Sequence, residues 1–98
     1  MSGSRTCHTA MLVIEHVERA QDGDAVCVVR CLSGVARQGM WLTADQVTPL
    51  RLEWITRYER PVEILDPPHN AKGGLAGPDV EGLRPGMRLV SLAEKPDD

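Results

Sequence analysis

Six side chains in this sequence have the chemistry of metal ligands or nucleophiles: Cys7, Cys27, Cys31, His8, His16 and His69. Zinc asks for four converging Cys and His ligands, supplied as closely spaced pairs on turns. Only Cys7 and His8 are neighbours, whereas Cys27 and Cys31 stand four apart in a Val-rich run that reads as a strand. At ~3.3 Å of rise per residue that spacing is about 13 Å, too far for the two thiols to bridge. Three cysteines is an odd count, which argues against a disulfide framework. Buried, reduced thiols packing as small hydrophobes are the expectation, and no metal site is expected. A catalytic Cys–His pair would need a thiol beside a cationic turn or a helix N-terminus, and neither strand cysteine has such a sequence neighbour.

The carboxylates offer no better chemistry. Glu15 and Glu18, and Asp22 and Asp24, read as solvated strand and turn residues, while Asp79 and Glu81 shape the turn before Gly82. No pair has a reason to be buried, so general acid–base work has no candidate. "NAKGG", residues 70–74, sets a lysine beside glycines. A phosphate loop, however, needs its glycines before a Lys and a Ser or Thr at a helix start, where backbone amides cradle the phosphates. The stretch reads as a flexible loop, with no nucleotide site and no cofactor expected. Binding remains. Arg51, Arg57 and Arg60, with Arg30 and Arg37, are the candidate residues for RNA or a protein partner.

The elements that carry these residues read as strands. Residues 9–19 open with the β-branched run of "TAMLVIEHVER", and "QDGD" at 21–24 supplies turn chemistry before the Val-rich "AVCVVRCLS" at 25–33, which makes a hairpin. "MWLTA", 40–44, is a short third strand after Gly39. "PLRLEWITRYE", 49–59, alternates: Leu50, Leu52, Trp54, Thr56 and Tyr58 on one face, Arg51, Glu53, Ile55, Arg57 and Glu59 on the other. Period two predicts a half-buried strand with the first set inward. Pro61 fits an edge, a bulge or a strand start. "DPPHNAKGG", 66–74, is the strongest breaker in the chain, followed by a short strand at 74–76 and a last one at 87–92. Six or seven short strands without a convincing helix predict an all-β fold, a small closed antiparallel barrel of about six strands. Closure removes the exposed edges that such short strands would leave.

With 98 residues the chain has the length of one domain. The divisions expected are a polar lead-in over 1–8, a barrel over 9–92 and a charged tail over 93–98. No stretch nears the ~20 apolar residues of a membrane helix, and the first ten residues lack the apolar region of a signal peptide. No membrane association and a cytoplasmic location are expected. The net charge of −3 gives no overall electrostatic warrant for nucleic acid, although a local basic face fits within it.

Two glycine pairs punctuate the strands. In "SGVARQGMWL" Gly34 and Gly39 precede Met40, Trp41 and Leu42, and in "GPDVEGLRPGMRLV" Gly77 and Gly86 precede Met87 and Leu89. Glycine at a strand end permits positive φ or close backbone approach. Taken in order with Ile14, Glu15, Val17, "QDGD", Val26, Val28 and Arg30, this pattern resembles the second, β-barrel domain of the translational GTPases such as elongation factor Tu. The likeness runs over residues 10–92, including "LRLEWITRYERPVEI" as the strand with a Leu-x-Ile core. It departs from the family in the first hairpin, where only Gly23 remains, and at "DPPHNAKGG". The GTPase domain has no counterpart here.

The resemblance implies a non-catalytic module that contacts RNA or the translation machinery, as this domain does with the tRNA acceptor end and ribosomal RNA. A second reading stays open: a protein-interaction or self-associating barrel with no RNA role. Arg51 with Glu53 and Arg57 with Glu59 then form an interleaved solvated face. The discriminating feature is whether the arginines gather on one surface apart from the carboxylates.

Overall fold

A computed structural model describes residues 10–45 and 47–92; the expected lead-in and tail, and Cys7 and His8, lie outside them. Nine strands follow in chain order: β1 (Ala10–Gln21), β2 (Asp24–Gly34), β3 (Ala36–Arg37), β4 (Trp41–Thr43), β5 (Pro49–Arg57), β6 (Arg60–Val62), β7 (Ile64–Leu65), β8 (Asn70–Ala76) and β9 (Arg88–Ser91). A 3-10 helix, Val80–Gly82, precedes β9. Pairing runs β4–β9–β1–β2–β8–β5, and β4 pairs again with β5, so six antiparallel strands close a barrel. The closed all-β fold expected from the sequence is the one observed. β6 extends β5 outside the ring, and β3 with β7 forms a separate two-stranded ribbon.

Asp22 and Gly23 both take positive φ, 56° and 81°, which is the two-residue turn whose twist suits a tight hairpin between β1 and β2. The interior is aliphatic. Leu12 and Ile14 from β1 meet Cys27 and Val29 from β2, Leu52 and Ile55 from β5, Leu75 from β8 and Leu89 from β9. The thiols of Cys27 and Cys31 are both inside and unpaired. Burial, with the charge of Glu18 added, pushes the Cys27 thiol up to about 11.

Two features of the sequence reading are corrected. Strand β5 does not alternate throughout: its pairing with β8 shifts register between Leu52 and Trp54. The extra residue turns Trp54 outward and Ile55 inward, with Ile55 buried and Trp54 exposed. Thr56 follows Trp54 to the outer face, opposite Lys72, and Tyr58 leaves the strand altogether.

The second correction is at "NAKGG", which is no loop. Asn70–Ala76 is a seven-residue strand hydrogen-bonded to β2 on one side and β5 on the other. Its two glycines are there for side chains of β5. A Cβ on Gly73 would sit 3.2 Å from Leu52 Cδ1 inside the barrel, and one on Gly74 would overlap the indole of Trp54 outside it. The loop chemistry is confined to residues 66–69.

Candidate interaction face

Strand β1 shifts register against β2 three times, between Met11 and Leu12, between Ile14 and His16 and between Val17 and Arg19. Plain alternation from Ile14 would send Glu18 inward. The bulges instead place both Glu15 and Glu18 on the outer face, where each meets a cation. Glu15 accepts from Arg30 Nε at 2.7 Å and from Asn70 Nδ2 at 3.1 Å. Those two donors, Asn70 first, hold its carboxyl below the usual range. Glu18 lies 3.1 Å from Lys72 Nζ. Arg30 also donates through Nη1 to the carbonyl of Pro68 at 2.6 Å, which ties the 66–69 loop to β2.

At the end of β5 the chain reverses through Tyr58 and Glu59, with φ of 53° and 66°. Left-handed backbone at two successive residues suits Asn-Gly and is strained for Tyr and Glu. Arg57 and Arg60 face each other directly across this β5–β6 hairpin. Like charges so placed repel, and Tyr58 stands 88% exposed between them. The Arg57 guanidinium lies over the Tyr58 ring, 5.4 Å from its centroid. Beneath the turn a cleft of about 310 Å³ is lined by Arg57, Tyr58, Glu59, Asn70 and Lys72, with Val28, Thr56 and Ala71.

The five arginines singled out in the sequence do not form one patch. Arg57 and Arg60 pair at the hairpin tip, and Arg30 stands on β2 beside Asn70 of the cleft, ion-paired to Glu15. Arg51, also on β5, faces Trp41 at 5.9 Å. Arg37 lies on the two-stranded ribbon next to Ile64. Among the described residues no carboxylate is within 4.0 Å of Arg57 or Arg60. Tyr58, Lys72 and Asn70 were not legible as site residues, because "NAKGG" reads as a loop and Tyr58 as an inward position. One signal was available. Apolar residues three apart in a strand, Ile14 with Val17 and Leu52 with Ile55, mark bulges that re-aim what lies between them.

Four other glycines shape the barrel away from this face. Gly34, Gly39 and Gly86 have φ of 70°, 89° and 93°. Gly77 has an ordinary φ and is a close approach instead, since a Cβ there would lie 2.7 Å from Leu50 Cδ2. Among the described residues, no group of three or more His, Cys, Asp or Glu side chains is arranged to hold a metal ion. No helix among them is long and apolar enough to cross a membrane.

The closed six-stranded antiparallel barrel matches part of a solved structure. The particular likeness is to the crystal structure of GDP-bound aIF5B from Aeropyrum pernix, with a TM-score of 0.79, 22% identity and 90% of this chain covered. The chain spans 15% of the length of that protein. At this identity the likeness establishes the fold. No family model matches the sequence, and no curated protein matches it.

Proposed function

We propose that the protein is a non-catalytic module that binds RNA of the translation machinery, in the cytoplasm, through the β5–β6 hairpin and the cleft beneath it. The observation that carries this reading is the Arg57–Arg60 pair, set opposite one another with no carboxylate partner among the described residues and an exposed tyrosine between them. Phosphate oxygens relieve the repulsion of the two guanidiniums, and the ring of Tyr58 offers a base a surface to stack on. Lys72, ion-paired to Glu18, stands on the cleft wall and can exchange that carboxylate for a phosphate. A barrel of this fold within a translation factor supports the class of partner.

The test is a titration of the protein with mixed tRNA and ribosomal RNA at about 50 mM salt, where phosphate contacts are strongest. Replacing Arg57, Arg60 and Lys72 together by Ala is expected to weaken binding tenfold or more. Binding that is absent at low salt, or that survives the three substitutions unchanged, overturns the reading and leaves a protein partner as the alternative.

A further inference from the structure

The other end of β5 is built from the opposite charge. Leu50 of β5, with Ala44, Asp45 and Thr48 and the segment before β9, lines an open pocket of about 190 Å³. Ala44, Leu50, Leu83 and Met87 supply apolar walls, and Asp45 and Asp79 stand at it. The volume is below the ~300–1,000 Å³ of pockets that take drug-sized ligands or cofactors, and suits a single side chain. Asp79 is exposed at the start of the 3-10 helix, where its side chain makes no capping hydrogen bond. Asp45 is held by its own loop: Oδ1 accepts from the amides of Val47 at 2.9 Å and Thr48 at 2.7 Å and from Thr43 Oγ1 at 3.1 Å. Those amides, Thr48 first, keep its carboxyl at about 2, so it is ionised at any physiological pH. Glu81, which accepts from the amide of Asp22 at 3.1 Å, adds further negative charge at this end.

We infer that this cavity is a socket for a lysine side chain presented by a basic segment of a partner protein. The charge complementarity favours a cationic side chain, and the apolar walls favour one with a long alkyl stem. A lysine buries its four-carbon stem along apolar surface and keeps its ammonium in water, where the lining carboxylates of Asp45 and Asp79 are exposed. Met87 gives the wall the adaptability that an unbranched stem requires. A phosphate-bearing ligand is repelled by the same two charges. This socket is separate from the RNA face: at ~3.3 Å per residue, the nine residues of β5 hold the two ends about 26 Å apart.

The experiment is an amide NMR titration of the whole protein with a capped peptide, Gly-Ala-Lys-Ala-Gly, and with the same peptide acetylated on the lysine Nζ. The free-lysine peptide is expected to give saturable shifts at Ala44, Leu83 and Met87, with at least fivefold weaker binding after acetylation. Asp79→Asn changes an exposed residue and leaves the barrel intact, and it is expected to weaken binding at least threefold. The inference is overturned by the absence of saturable shifts up to about 10 mM peptide, the affinity range of a single anchor. It is equally overturned if the two peptides bind alike or if Asp79→Asn binds as the parent does.

Discussion

Cys27 shows how one side chain's chemistry is set by its place in the barrel rather than by its type. Its thiol faces the aliphatic interior, and burial moves its ionisation from 9.0 to about 11. The thiolate is the reactive form, so at neutral pH this residue is inert. A folded-state value above the unfolded one means that the unfolded chain gives up the proton first as pH rises. Stability from this group is therefore constant below about pH 9 and falls between 9 and 11. In a Cys7→Ser background, Cys27 and Cys31 are expected to react with a thiol reagent only at the rate of global unfolding. Labelling that is fast in the folded protein would show that one of them is reachable from the surface.

Strand β5 and its hairpin hold the structural tension of the molecule. Left-handed backbone at a residue with a Cβ costs on the order of 1–3 kcal/mol, and Tyr58 and Glu59 both adopt it. Natural hairpins of this geometry use Asn-Gly, so Tyr58→Asn with Glu59→Gly is expected to stabilise the protein by about 1–2 kcal/mol in denaturant unfolding. The same double variant removes the stacking ring, and RNA binding is expected to weaken while stability rises. A gain in stability with unchanged binding would assign the strain to no function. Strand number, antiparallel closure and the first hairpin were legible because they rest on turn residues and apolar runs. The face of Trp54 and the strand at 70–76 were not. Local propensity takes Gly73 and Gly74 for breakers, and only the packing of Leu52 and Trp54 from a strand some twenty residues earlier explains them. The arginines were legible as a list but not as a site, since grouping Arg57 with Arg60 and setting Arg37 apart depends on the hairpin and the ribbon.

Charge is unevenly spread among the described residues along β5. The protein's net charge is −3, yet Arg57, Arg60 and Lys72 lie at one end, with Glu59 and the Glu18 partner of Lys72, while Asp45, Asp79 and Glu81 lie toward the other. On the proposed reading, a negative protein of this kind would approach RNA with the hairpin leading. Its affinity is then governed by a few local phosphate contacts and not by total charge. Three contacts to a single strand correspond to a slope of log K against log salt of about −2, at ~0.7 per contact. Raising salt fourfold would weaken binding roughly 20-fold. Removing Arg57 and Arg60 is expected to bring the slope to about −0.7, whereas Asp79→Asn at the far end leaves it unchanged. A steeper slope in the parent, on the order of −5 or beyond, would require more cations than this face holds and would move the site elsewhere on the barrel.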